Sequence, residues 1–132
     1  MKAVIFLATI AATLASANPV LHKRVGCYTG GEAWGGNREK AEYFTGQACD
    51  TGRLKGDYAP GQEKVQNFDT SVGQCVVFAI KKLENGIGIM QKERCEEALK
   101  QGIADCPNWG GIGTDGDWEF RVDINAGLCP PA

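Results

Sequence analysis

Aromatic and polar side chains alternate with glycine in three segments of the sequence, at positions 30–36, 56–62 and 108–115. An exposed aromatic ring can stack on the apolar face of a sugar, while carboxylates and amides bind the hydroxyl groups. Glycine lets the backbone approach a ligand closely. The three segments therefore predict a glycan-binding site. Its candidate residues are Glu32, Trp34, Tyr58, Gln62, Trp109 and Asp115.

The tryptophans have a second interpretation, in which each ring folds back into the protein as a plug. The glycine neighbours of Trp34 and Trp109 offer no packing surface, which favours exposed rings, but the sequence leaves both interpretations open for these two residues. Trp118 differs, since it alternates with charged residues in a strand-like segment. We predict that Trp118 is buried.

Carboxylates could also serve as a glycosidase acid and base pair. Acidic residues are frequent near the glycine-rich segments, but no spacing singles out a pair. We therefore predict no catalytic residue, and a hydrolase of cell-wall glycans is the weakest alternative. The acids considered are Glu32, Asp57, Asp115, Asp117, Glu119 and Asp123.

The N-terminal residues resemble a secretory leader. Lys2 precedes an uncharged apolar run that ends at Ala15-Ser16-Ala17, which predicts a signal peptide over residues 1–17. The run is shorter than the roughly 20 residues of a membrane-spanning helix. Residues 18–24 end in the basic pair Lys23-Arg24 and are predicted to be a propeptide. The mature chain is then an extracellular domain of residues 25–132.

The mature composition excludes several function classes. His22 is the only histidine, and it lies in the predicted propeptide, so histidine-based hydrolases and histidine metal sites are excluded. We expect neither a metal nor a cofactor. Of 14 basic and 16 acidic residues, three basic ones lie in residues 1–24, which leaves 11 basic, 16 acidic and a net charge of −5. This charge argues against nucleic acid and against anionic membranes as partners.

The mature chain is cysteine-rich, with six cysteines and no C-x-x-C pair. In a secreted domain of this size an even number of cysteines predicts disulfides rather than a metal site. The sequence alone does not choose among 15 pairings. Our preferred set is Cys27–Cys129, Cys95–Cys106 and Cys49–Cys75.

Apolar periodicity predicts an α+β domain without internal repeats. Apolar residues at helical spacing predict helices over residues 38–48 and 91–104. Apolar runs and alternation predict strands at 25–28, 53–58, 75–83 and 117–123. Asn85-Gly86 is typical of a hairpin turn, so residues 87–90 are expected to pair back on the preceding strand.

Four segments resemble a secreted fungal glycan-binding family typified by the ink-cap mushroom lectin. Cys27 followed by GEAWG is similar to the family's opening C…GESWG, and LKGDYAPGQEK at 54–64 is similar to LxGxYxxGQxK. CEEAL…IADC at 95–106 resembles the family's helix ECxxGL…INGC. WEFRVDINAGLC at 118–129 resembles its closing WRYxxDPNAGxC, with Ile124 at the position of the proline.

The resemblance implies a small single-domain αβ/β-sandwich that binds glycans, lacks enzymatic activity and self-associates into a homodimer. Together with the candidate residues it predicts a secreted, non-enzymatic lectin-like protein whose partners are glycans or glycoproteins. Neither nucleic-acid binding nor membrane insertion is expected. The main alternative is a secreted fungal effector or defence toxin that acts on a protein or membrane target.

Overall fold

The centre of the fold is a five-stranded antiparallel sheet with strand order β1-β6-β7-β4-β3. The computed structural model describes residues 24–131. The predicted signal peptide, and the predicted propeptide up to Lys23, lie outside these residues. In chain order the elements are β1 (Arg24–Cys27), α1 (Arg38–Asp50), β2 (Gly56–Tyr58), β3 (Glu63–Asp69), β4 (Gln74–Lys82), β5 (Gly88–Met90), α2 (Lys92–Asp105), β6 (Gly110–Asp115) and β7 (Trp118–Ala126).

One face of this sheet carries the core. Strand alternation sends every second side chain of β4 and β7 to the same side, and these side chains are apolar. In the register, Phe78 lies opposite Val122 and Ile80 lies opposite Phe120. All four are buried. The alternation predicted for β7, with Trp118 buried, is confirmed.

Both helices pack against that apolar face. The buried residues of α2 are Cys95, Leu99 and Ile103, which recur every four residues on one side of the helix. In α1 the ring of Phe44 stacks on Phe68 of β3, with ring centroids 4.7 Å apart. Both predicted helices are confirmed within two residues at each end. No helix among residues 24–131 is long and apolar enough to cross a membrane.

The two short strands β2 and β5 form a separate antiparallel ribbon. Tyr58 of β2 and Met90 of β5 point into the core and are buried. The predicted pairing of residues 87–90 with the preceding strand is therefore wrong, because β5 pairs with β2 instead of β4. The neighbours of β4 are β3 and β7, which occupy both of its edges.

Two strands were missed by the sequence patterns. β3 is mostly polar, and β6 begins with two glycines. The glycine at 111 has a physical reason, because a Cβ there would lie 2.5 Å from the carbonyl oxygen of Gly26 on β1. The third glycine-rich segment, 108–115, is thus largely an internal strand of the sheet. The α+β class is confirmed.

Three disulfides are present, as the cysteine count predicted, but all three predicted pairings are wrong. Cys95 and Cys106 lie at opposite ends of α2, about 16 Å apart at 1.5 Å per residue, whereas bridged Cα atoms lie about 4.4–6.8 Å apart. Three disulfides are consistent with an extracellular protein. The bonds join Cys27 to Cys106, Cys49 to Cys95, and Cys75 to Cys129.

The other two errors have similar causes. Cys49 lies on α1 in the core, whereas strand alternation places Cys75 on the sheet face that points away from the helices. Cys27 lies on an edge strand beside β6, where the end of α2 reaches it. Cys129 follows β7, which pairs with β4, and so it meets Cys75.

Candidate functional site

Trp34 is a buried plug and cannot stack on a ligand. Its side chain is 1% exposed, and its indole Nε1 donates a hydrogen bond to the carbonyl oxygen of Cys106 at 3.1 Å. Its backbone N–H donates to the carbonyl oxygen of Asn108 at 2.9 Å. The predicted stacking role of Trp34 is therefore wrong. The packing surface that its glycine neighbours lack is supplied by the chain around Cys106, 72 residues away.

Tyr58 is also buried, which makes its predicted stacking role wrong. Its hydroxyl donates a hydrogen bond to the carbonyl oxygen of Leu54, and its ring meets Trp118 edge-on with centroids 4.9 Å apart. Burial raises the pKa of Tyr58 above its ordinary value. Gln62 is exposed, but its side-chain oxygen accepts a hydrogen bond from the N–H of Ala59 and closes the turn there.

The six predicted site residues do not come together. Glu32 lies near Gln74 at the start of β4. Gln62 lies at the other end of that strand, where its carbonyl accepts a hydrogen bond from the backbone N–H of Lys82. Trp109 and Asp115 lie at opposite ends of β6, roughly 16–20 Å apart at 3.3 Å per residue. One end of the sheet thus holds Glu32 and Trp109, and the other holds Tyr58, Gln62 and Asp115.

An open cleft of about 500 Å³ lies at the Glu32 end of the sheet. Its walls are the first glycine-rich loop and the end of β7. Tyr28 supplies a half-buried aromatic ring, and two carboxylates and an amide supply polar groups. The lining residues are Cys27, Tyr28, Thr29, Gly30, Gly31, Glu32, Asp123, Ile124 and Asn125.

The loop that forms one wall of the cleft is held from several sides. Gln74 donates a hydrogen bond from Nε2 to Glu32 Oε2 at 2.6 Å, and its own side-chain oxygen accepts one from Asn37. The Cys27–Cys106 disulfide fixes one end of the loop, and the buried Trp34 fixes the other. These contacts restrict the loop to one conformation, and a surface held in this way has little conformational entropy to lose in a complex.

Two titratable residues of the cleft have raised pKa values, and burial is the main cause for both. Burial raises the pKa of Asp123. A hydrogen bond from the backbone N–H of Ile124, the positive charge of Arg121 and a hydrogen bond with the Asn125 side chain lower it, but their effects are smaller than that of burial. Burial also raises the pKa of Tyr28, and the carboxylates of Asp123 and Glu119 add to this effect. The phenol of Tyr28 therefore stays neutral at physiological pH and can donate a hydrogen bond.

One other group of side chains has the composition of a metal site, namely Asp69, Cys75 and Cys129. Its two sulfurs form a disulfide, and Asp69 accepts a hydrogen bond from the backbone N–H of Cys129 at 2.5 Å. This bond and the disulfide account for the cluster. It holds the C-terminal segment to the β3–β4 end of the sheet.

Tyr28 and Asn125 were missed as candidate site residues, and Asp123 was considered only as a glycosidase acid. Asp123 carried a usable signal, because the alternation of β7 already placed it on the side away from the core. Tyr28 and Asn125 carried none, since only the pairing of β1 with β6 and of β6 with β7 brings them together.

A scan against protein-family models and searches of curated proteins and of solved structures found no match to this chain.

Proposed function

We propose that this protein is a secreted, non-enzymatic glycan-binding protein and that the cleft between residues 27–32 and 123–125 is its binding site. The observation that supports the proposal most is the composition of this cleft. One aromatic ring, two carboxylates and one amide face a common open space, on a loop that is already held in place. A volume of about 500 Å³ falls within the usual range for small-ligand sites, roughly 300–1,000 Å³.

In this proposal the ring of Tyr28 packs against the apolar face of one sugar unit. The carboxylates of Glu32 and Asp123 accept hydrogen bonds from sugar hydroxyls, and Asn125 both donates and accepts. Trp109 is half-buried and precedes Gly110, whose carbonyl accepts a hydrogen bond from the N–H of Tyr28. The ring of Trp109 is thus a candidate to stack on a second sugar unit beside the one that contacts Tyr28.

The decisive experiment is a glycan array probed with the oxidised mature domain and its Tyr28→Ala variant. We expect binding to a defined subset of glycans, and a loss of at least about tenfold in affinity for the variant, equivalent to ~1.4 kcal/mol. Tyr43→Ala is the matched control, because Tyr43 is a 58% exposed tyrosine on α1, outside the cleft. Tyr28→Phe should retain most of the binding, since it keeps the ring.

A blank array from a folded, disulfide-intact sample would overturn the proposed function. Equal losses for the Tyr28 and Tyr43 variants would overturn the site but leave the function standing. Release of shorter sugars from any bound glycan would favour the hydrolase alternative, with Glu32 and Asp123 as the first carboxylates to replace.

Asp123 should also leave a signature in the pH dependence of stability. Its pKa is raised in the folded protein, so the folded state binds this proton more tightly than the unfolded chain does. The group therefore favours folding in acid, and that contribution is lost as the pH rises through the folded pKa. Urea denaturation of the natural protein and Asp123→Asn at pH 3 and pH 7 tests this. The free energy of unfolding of the variant minus that of the natural protein should be larger at pH 7 than at pH 3. The same difference at both pH values would contradict the prediction.

A further inference from the structure

A second surface, at the opposite end of the sheet, exposes apolar side chains on an ordered strand. Ile87, just before β5, is 82% exposed, and Ile89, on β5, is 64% exposed. The register pairs Ile89 with Asp57 and Gly88 with Tyr58, so Ala59 lies beside Ile87. We call the exposed residues Ala59, Pro60, Ile87 and Ile89 the ribbon patch.

The ribbon that carries this patch is firmly attached to the core. Its inward residues Tyr58 and Met90 are buried, and Tyr58 packs against Trp118. A Cβ at Gly88 would lie 2.8 Å from side-chain atoms of both Lys82 and Trp118, so the inner side has no free space. The two isoleucines are therefore held outward by the packing beneath them. Exposed apolar clusters on an ordered surface mark interaction sites in soluble proteins.

The rim of the ribbon patch is acidic. Asp57 lies opposite Ile89 on the neighbouring strand. Glu84 lies beside Gly61, where an added Cβ would be 3.1 Å from Glu84 Cγ. Asp117 accepts a hydrogen bond from Asn85, just before the patch. Within residues 24–131 the two salt bridges both involve Asp50, so neither includes these three carboxylates.

Lys55, Lys64 and Lys82 lie near the ribbon, and none of them forms a salt bridge with the three rim carboxylates. The ammonium of Lys82 is buried and donates hydrogen bonds to the carbonyl of Leu83 and to Asn85 Oδ1. The ammonium of Lys64 lies 4.2 Å from the centre of the Tyr58 ring. Lys55 lies 4.0 Å from Asp50. Since Lys55 is paired with Asp50, the three rim carboxylates outnumber the two remaining lysines, and the rim carries a net negative charge around an apolar centre.

We propose that the ribbon patch docks an extended segment of another protein, with apolar side chains at alternate positions and lysine or arginine beside them. The apolar side chains would cover Ile87 and Ile89, and the basic ones would meet Asp57 and Glu84. The same negative rim repels anionic lipids, which disfavours a membrane as the partner. The patch consists of four residues, compared with roughly 20–30 on each side of a standard interface, so we expect binding through it to be weak and transient.

This surface is separate from the proposed glycan site. The cleft lies beside Gln74 at the start of β4, and the patch lies beside Lys82 at its end. The intervening distance is about 26 Å at 3.3 Å per residue. A variant of one surface should leave the other intact, so the two proposals can fail independently.

The test is an array of synthetic 12-residue peptides in which Ile, Leu or Val alternates with Lys or Arg, with Asp or Glu, or with Ser. We expect the disulfide-intact domain to prefer the apolar-basic peptides, and the double variant Ile87→Ser/Ile89→Ser to bind them at least tenfold more weakly. Val72→Ser/Leu128→Ser is the matched control, because these residues are 67% and 70% exposed outside the patch. Exposed substitutions of this kind rarely unfold a protein.

The charge part has its own variant, Asp57→Asn/Glu84→Gln, which should weaken binding and reduce its dependence on salt. The proposal is overturned if no peptide binds, if acidic and basic peptides bind equally, or if the Ile87/Ile89 variant binds like the natural protein. Binding to phosphatidylserine vesicles that this variant loses would assign the patch to a membrane instead. Unchanged glycan binding by the same variant would confirm that the two surfaces act separately.

Discussion

Replacement of Trp34 by alanine should lower the free energy of unfolding by about 3–5 kcal/mol, the usual cost of truncating a buried tryptophan. The side chain is 1% exposed and belongs to the core cluster, so its removal leaves a cavity. The carbonyl of Cys106 also loses the hydrogen bond from the indole Nε1. Urea denaturation followed by circular dichroism measures the effect directly.

Trp109→Ala is the control, because Trp109 is half-buried and follows Asn108, whose carbonyl accepts a hydrogen bond from the N–H of Trp34. It should cost clearly less stability than Trp34→Ala. Trp34→Phe should recover part of the loss, since it refills part of the cavity without restoring the hydrogen bond. Equal stability of the natural protein and Trp34→Ala would contradict the buried position of this ring. Lost glycan binding in Trp34→Ala would accordingly report on folding before it reported on ligand contact.

Removal of the disulfide between the helices should be nearly as damaging. Cys49 and Cys95 enclose a sequence separation of 46 residues, for which loop-closure entropy alone gives about 4 kcal/mol. Both residues are fully buried. The double variant Cys49→Ala/Cys95→Ala should therefore unfold at much lower urea concentration, and thermal and urea denaturation can quantify the loss.

The bond between Cys75 and Cys129 provides the comparison. Its separation of 54 residues predicts nearly the same entropic effect, but Cys129 lies only partly buried near the end of the chain. Any excess loss in the Cys49/Cys95 variant then measures packing rather than chain entropy. Peptide mapping of the oxidised protein should find Cys95 linked to Cys49, and a Cys95–Cys106 peptide would contradict the fold.

Regular apolar spacing is what made the helices and two central strands predictable. Leu99 and Ile103 repeat at helical spacing, and Phe120 and Val122 alternate with charged residues, so each element buries a face that its own sequence defines. β6 has no such pattern. The close approach of β1 requires glycine at position 111, so the apolar side chain that would indicate a strand is missing there. β3 is half-buried at the edge of the sheet and accordingly polar.

The site was harder to predict than the fold for a related reason. Trp34 and Tyr58 were judged by their neighbours in sequence, whereas their burial depends on Cys106 and Trp118, which are distant in sequence. Glu32 lies in the first of the three glycine-rich segments, and this segment lines a cleft. Its opposite wall comes from β7, through pairings that no local pattern encodes.

The course of β4 has a consequence for how the protein would engage a target. The strand runs from the cleft to the ribbon patch, so it acts as a rigid spacer between the two proposed binding surfaces. A target surface that carries both a glycan and a basic, apolar segment at this spacing would be held at two points. The second contact then forms within one complex, at an effective concentration that for short connections reaches the millimolar range. Two weak contacts would together give long residence, and only on targets whose spacing matches the strand.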